Sequence, residues 1–294
     1  MIGFFLMTEK GLRVLQSVVD TFGPGQIAYV VGAADKNVTQ DYRDEIQALC
    51  RRYGIAYFDR KDTLRATAEY HFAISWRWMI HHAAGLIALH DSLLPKYRGF
   101  APLPTALING EAFVGVTALR VHETAGQEYD RGNILGQRKL PVSYPVKIQA
   151  VISTLSAEYA DLVVDLYRSI CAGATLDGAP QNEEDATYSL WRDEEDYRID
   201  WSADAGRIKR FIDSLGSPYN GASTQIENRK VRILDAAVEP DIRIENRQPG
   251  KVVFLRQGFP TVVCGRGLLR ITDMRDDASG ETLLPLQRLR TRFT

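Results

Sequence analysis

The sequence predicts an α/β protein: a doubly wound, mostly parallel sheet followed by a small antiparallel barrel. Three observations carry that reading. Through residue 171, short apolar runs alternate with amphipathic helical segments, as βαβ units do. From residue 222 onward the chain changes to short strands broken by Gly, Pro, Asn and Asp. Between them, residues 172–187 carry Gly173, Gly178, Pro180 and an Asn-Glu-Glu-Asp run, which is the composition of a linker. The boundary this implies separates a domain of residues 1–190 from one of residues 191–294.

Ile2 to Met7 is the first strand; it lacks the basic flank and the length of a signal peptide. Thr8 then caps a helix reaching Phe22, with Glu9 in its first turn and Leu12, Leu15, Val18 and Val19 on one face. Gly23-Pro24-Gly25 stops it, and residues 26–31 form the second strand. Residues 40–53 read as a helix ended by Gly54, with strands at 55–58 and 70–75. Gly85 to Leu89 is a buried parallel strand, 101–109 a helix closed by Gly110, and 115–122 and 134–142 two further strands. Residues 146–171 keep a helical period through Ile148, Val151, Leu155, Tyr159, Leu162 and Leu166. A helix at 203–215 precedes strands at 231–234, 251–255, 261–264 and 268–272. No Gly-x-Gly-x-x-Gly opens the first helix, so the sheet is Rossmann-like in topology only and not a dinucleotide cradle.

Composition narrows the function classes. The chain is 45% hydrophobic and 25% charged, ordinary globular values, with no apolar run long enough to span a membrane. Cys50, Cys171 and Cys264 are odd in number and far apart, which fits neither a disulfide framework nor a zinc site and predicts a cytoplasmic protein without metal. Basic and acidic residues balance, 36 against 37, so no strongly basic face is expected for nucleic acid.

The chemistry centres on residues 88–133. His90 ends an apolar strand, where open α/β sheets bind their ligands. The irregular Ser92-Leu93-Leu94-Pro95-Lys96-Tyr97-Arg98-Gly99 follows it, and Asp130 sits in a later turn, giving a histidine and a carboxylate at one sheet edge. Taken alone, each has a plainer reading, His90 as a structural histidine and Asp130 as a turn former. Thr8, Glu9 and Lys10, at the end of the first strand, face the crevice an acceptor would enter. Ser92 is the one hydroxyl nucleophile nearby and has no evident base.

His90 to Gly99, Ile108-Asn109-Gly110-Glu111, Gly115-Val116-Thr117 and Asp130-Arg131-Gly132-Asn133-Ile134 together resemble the formyltransferase family that uses N10-formyltetrahydrofolate. The resemblance implies an OB-like second domain. It implies His90 and Asp130 as the catalytic pair and folate contacts from Arg77, Trp78, Met79, Glu128, Tyr129 and Asp130. Thr8, Glu9, Lys10 and Arg98 become substrate-binding candidates. The expected enzyme is an N-formyltransferase acting on a small-molecule amino sugar, free or nucleotide-linked, in a surface-sugar pathway such as that to pseudaminic acid. A homodimer is compatible with the family. The alternatives are methionyl-tRNA formyltransferase, a formyl-folate hydrolase, and a degenerate folate-binding module. One departure bears on these choices: Ala88 stands where the family usually has the asparagine that holds the formyl oxygen.

Overall fold

The computed structural model describes residues 1–36, 38–64, 66–80, 85–121 and 129–294. Its secondary structure begins β1 (Ile2–Leu6), α1 (Thr8–Phe22), β2 (Ile27–Gly32), α2 (Arg43–Tyr53), β3 (Tyr57–Asp59), β4 (Tyr70–Ile74), β5 (Leu86–His90) and β6 (Arg98–Gly99). There follow α3 (Pro102–Asn109), β7 (Phe113–Arg120), β8 (Ile134–Pro141), α4 (Ile148–Cys171) and β9 (Tyr188–Ser189). The C-terminal part holds α5 (Ala205–Leu215), β10 (Ala222–Ile226), β11 (Arg229–Glu239), β12 (Val252–Arg256), β13 (Phe259–Val263) and β14 (Leu268–Asp276).

The chain folds into two compact units. One comprises residues 1–103, 113–142 and 150–190; the other comprises 104–112, 143–149 and 191–294. The first is built on a seven-stranded sheet ordered β3-β2-β1-β4-β5-β7-β8. Strands β3 through β5 run parallel, and β7 and β8 join antiparallel. Strand order reverses between β1 and β4, so the crevice outside their carboxyl ends is the switch point where such sheets take ligands. β1 is buried along its whole length, which explains why Ile2-Gly3-Phe4-Phe5-Leu6 shows no polar alternation.

The helix after β1 begins where the sequence places it, but Thr8 does not cap it. Thr8 adopts a left-handed backbone, φ 65°, and its hydroxyl donates to Ser75 Oγ at 3.0 Å instead. Ser75 is itself left-handed, φ 54°. A strained residue therefore stands at the end of each of the two strands flanking the switch point.

The second unit carries a five-stranded antiparallel sheet ordered β10-β11-β14-β13-β12, with α5 packed on it. Asp204 caps α5 by accepting from the Gly206 and Arg207 amides. Ile208, Ile212, Val231, Ile233, Val262, Leu269, Ile271 and Met274 form its core. Two connecting segments belong to this unit as well. Lys147 Nζ donates to Asp235 at 2.8 Å and pairs with buried Asp213 at 2.9 Å, and Arg210 Nε donates to the Ile108 carbonyl at 3.1 Å.

Among the described residues, no helix is long and apolar enough to cross a membrane. No group of three or more His, Cys, Asp and Glu among them could hold a metal ion.

Candidate active site

β5 ends on His90, whose side chain is nearly buried, with 9% of its surface accessible. Alternation along the strand puts Ala88 and His90 on one face of the sheet. The next residue, Asp91, lies among α1 and α4: Lys10 Nζ donates to Asp91 Oδ2 at 2.5 Å, and the Tyr159 hydroxyl donates to Asp91 Oδ1. Burial opposes ionisation of Asp91, but the Lys10 ammonium and the two hydrogen bonds outweigh it and hold the carboxyl below the usual range. Burial and the neighbouring Asp91 carboxylate push the Tyr159 hydroxyl well above its ordinary value, so it stays a donor.

His90 meets two partners. Its Nε2 lies 2.8 Å from the Tyr97 carbonyl, and its Nδ1 lies 3.5 Å from Asp130 Oδ2. A carbonyl only accepts, so Nε2 carries a proton. In the neutral ring the basic nitrogen is then Nδ1, on the side of Asp130. Tyr97 and Asp130 are both left-handed, φ 60° and 58°, and Asp is among the few side chains that tolerate that region. The Asp130 carboxylate accepts from the Gly99 amide at 2.9 Å, which fixes the oxygen that faces His90.

The loop after His90 is held by the sheet. Thr117 Oγ1 donates to the Ser92 carbonyl at 2.7 Å and accepts from the Leu94 amide at 3.1 Å. Gln137 donates to the Leu94 carbonyl at 2.9 Å. Ser92 is buried and its hydroxyl donates to the Lys96 carbonyl at 2.7 Å, which turns it inward.

Among the described residues, Arg98 is the largest fully buried side chain. It donates to Gln181 Oε1 from Nε at 3.0 Å and from Nη2 at 2.8 Å, and grips Glu183 with both terminal nitrogens at 2.8 and 3.0 Å. Its guanidinium is thus engaged with Gln181 and Glu183, bracing its own loop, which is the plainer reading of this residue. The hydrogen bond from Arg98, joined by Arg131, holds the Glu183 carboxyl at about 2. Lys10 is also engaged within the fold: its ammonium pairs with Asp91 and lies 5.3 Å from the Tyr159 ring centre.

The other sequence-predicted residues have the following surroundings. Glu9 is half-buried in the first turn of α1. Beyond β4, exposed Arg77 pairs with buried Asp35 at 2.7 Å. Half-buried Trp78 packs edge-on against Trp76, ring centres 5.2 Å apart, with the Arg60 guanidinium 4.4 Å from its ring centre. Met79 is exposed. Residues 76–80 are neither helix nor strand, so their amide and carbonyl groups lie outside the sheet ladder. Tyr129 is exposed and meets Phe100 edge-on at 5.1 Å. Glu128 lies outside the described residues, as do His81, His82 and His122.

Residues 172–187 do not behave as the free linker their composition suggested. Ala179 pairs with Ile134, β9 pairs in parallel with β6, and Thr187 accepts from the Tyr97 amide at 2.9 Å. Gln181 Nε2 donates to the Asp130 carbonyl at 2.6 Å. Sequence reasoning missed these supports because a polar stretch without periodicity carries no sign of partners some 80 residues away.

Ala88 lies in an apolar row of the sheet. Its ladder neighbours across the sheet are Ala73 on β4 and Leu119 on β7, both apolar. No polar side chain stands beside it in that row of the sheet.

Two family models match the chain: Formyl transferase over residues 62–164, and Formyl transferase, C-terminal domain, over residues 192–282. Among curated relatives, methionyl-tRNA formyltransferase of Nitrosomonas europaea is 31% identical over 208 residues, 69% of this chain and 61% of that one. The enzyme of the same name from Ralstonia nicotianae is 29% identical over 191 residues, 65% of this chain and 57% of that one. The alignments thus span about three fifths of these relatives' length. Among solved structures, an N-formyltransferase of Helicobacter canadensis in complex with folinic acid and dTDP-3-aminofucose superposes with a TM-score of 0.68 at 16% identity, covering 92% of this chain and 98% of that one. WlaRD, a sugar 3N-formyl transferase crystallised with dTDP and 5-N-formyl-THF, gives 0.65 at 17% identity, over 96% and 97%. HypX from Aquifex aeolicus gives 0.64 at 19%, over 96% of this chain and 45% of that one. With both domains of one family matched in order, the chain belongs to the formyl transferase family.

Proposed function

We propose that this protein transfers a formyl group from N10-formyltetrahydrofolate to the amine of a small amino sugar, with His90 and Asp130 as the proton-handling pair. The observation that carries the proposal is the approach of His90 Nδ1 to Asp130 at 3.5 Å, at the carboxyl edge of a sheet whose next strand ends beside the switch point. Donor binding falls to residues 76–80, with Arg77, Trp78 and Met79, and to Tyr129. The acceptor enters over Thr8 and Glu9.

In this reading the folate supplies an activated formyl group, and the chain's own residues do the rest. The acceptor amine attacks the formyl carbon, the new C–N bond forms, and the bond to folate N10 breaks. The proton lost by the amine passes to His90 Nδ1, opposite Asp130, and a proton returns to N10 as it leaves. Asp130 balances the imidazolium that results. Ser92, committed to the Lys96 carbonyl, has no part as a nucleophile, so the amine attacks directly.

The small-acceptor reading rests on the near-zero net charge of the chain, −1, and on two solved neighbours matched over nearly their full length, one holding dTDP-3-aminofucose and the other, a sugar 3N-formyl transferase, crystallised with dTDP. The curated relatives favour a second reading, methionyl-tRNA as acceptor. Incubation with formyl donor and either nucleotide-linked amino sugars or charged initiator tRNA, followed by mass spectrometry of each acceptor, separates the two. A gain of one formyl group on a sugar supports the first reading, and a gain only on the tRNA supports the second. Donor breakdown with no formylated acceptor overturns both.

A further inference from the structure

We infer that residues 181–189 are a positioning element of the active site, and that Gln181 is the residue through which they act on Asp130. The inference rests on the reading of His90 and Asp130 given above and extends it to a segment whose composition marks it only as a connector.

Each ring nitrogen of His90 faces a partner, and this one segment holds both. On the Nε2 side, Tyr97 is fixed by its amide donating to Thr187 Oγ1 at 2.9 Å, while the Thr187 amide donates to the Pro95 carbonyl at 3.2 Å. The Arg98 amide donates to the Thr187 carbonyl at 2.8 Å and the Phe100 amide to the Ser189 carbonyl at 3.0 Å. On the Nδ1 side, Gln181 Nε2 donates to the Asp130 carbonyl at 2.6 Å and to the Gly132 carbonyl at 2.8 Å. The amide orientation is not ambiguous. Gln181 Oε1 takes two hydrogen bonds from Arg98, which has no acceptor to offer, so the other end must be the NH2.

The hold on Asp130 is needed because its backbone is left-handed, a conformation that persists only where the surroundings enforce it. Gly99 fixes the carboxylate and Gln181 fixes the peptide behind it. Arg98 joins the two supports, since it lies on the same short strand as Gly99 and is bonded to Gln181. A packed arginine thereby couples the loop carrying Asp130 to the loop that follows His90.

The two halves of the Gln181 amide can be separated by substitution. Gln181→Glu keeps the shape and the acceptor toward Arg98 but replaces the donor with an oxygen that repels the Asp130 and Gly132 carbonyls. If Gln181 serves only to satisfy Arg98, this variant keeps full activity. If it positions Asp130, kcat falls by about tenfold to a hundredfold while the KM for donor stays near wild type, as small displacements of a reacting group do. Glu183→Gln, which weakens the grip on Arg98 and Arg131 but leaves the Gln181 amide in place, serves as the comparison and should lower the melting temperature more than it lowers kcat. Crystal structures of wild type and Gln181→Glu supply a readout that does not need activity. The inference expects the 3.5 Å separation of His90 and Asp130 to widen in the variant. Unchanged kcat, or an unmoved Asp130 in a folded Gln181→Glu protein, overturns it. A wild-type protein that transfers no formyl group, but whose Asp130 moves in the variant, overturns the functional reading and leaves the positioning role standing.

Discussion

Lys10 and Asp91 form an ion pair at 2.5 Å one residue beyond His90, on the side of the sheet covered by α1 and α4. The pair ties the end of β5 to the start of α1 and so fixes the height at which the imidazole stands at the sheet edge. Tyr159 completes it from α4 by bonding the second carboxylate oxygen.

Removing the cation alone should be severe. Lys10→Met leaves Asp91 without its counter-charge, and breaking such a pair typically costs about 3–5 kcal/mol. Denaturant titration of the variant measures this. The depressed Asp91 carboxyl sets the pH sign: its stabilisation is complete above the ordinary carboxylate range and is lost as pH falls through the folded value. The difference between wild type and Lys10→Met should therefore narrow in acid. A difference that grows in acid would contradict the assignment.

Glu183 gives a second acid-sensitive contact. Gripped by Arg98 and Arg131, it titrates at about 2 instead of 4.5, so its contribution is present above 4.5 and disappears between 4.5 and about 2. Thermal melts of wild type and Glu183→Gln should converge across that window. Because the Glu183 side chain is half exposed, added salt should shrink the difference at neutral pH.

Ala88→Asn should be a gain of function. The missing amide would donate to the formyl oxygen as it gains charge, and one such donor is worth roughly 2.7–4 kcal/mol of barrier. Steady-state kinetics should show kcat rising with little change in stability. A fall in kcat would mean that the acceptor itself occupies the space beside Ala88.

Ser92→Ala tests for a covalent intermediate. The hydroxyl bonds the Lys96 carbonyl, so the variant should lose about 1 kcal/mol of stability and retain turnover. Intact-mass measurement of wild type under turnover should find no formylated enzyme. Loss of turnover in a folded Ser92→Ala protein would reopen the nucleophilic route.

Much of the first unit was legible because its strands are continuous apolar runs and its helices carry one apolar stripe. β1, β2, β4 and β5 fall within a residue or two of their expected places. α2 starts later than expected, at Arg43, because Asp41 accepts from the Arg43 amide after a left-handed Tyr42. In the second unit β11 runs eleven residues where only 231–234 read as strand. Its pairing with β14 shifts register around Asp235, and that irregularity breaks the alternation the sequence would otherwise show. The sequence reads Arg98 first as a brace for its own loop, but it does not name the partners. Nothing local says that Gln181 and Glu183 fold back onto it. The pairing of His90 with Asp130 was foreseen through the spacing of a known family block; the supports behind that pair could be seen only in three dimensions.

The most direct test compares formyl transfer by wild type, His90→Asn and Asp130→Asn, as kcat/KM across pH with a nucleotide-linked amino sugar as acceptor. The account predicts a formylated sugar from wild type and a loss of about a hundredfold or more in each variant, with donor binding retained. Transfer at an undiminished rate in either folded variant would contradict it.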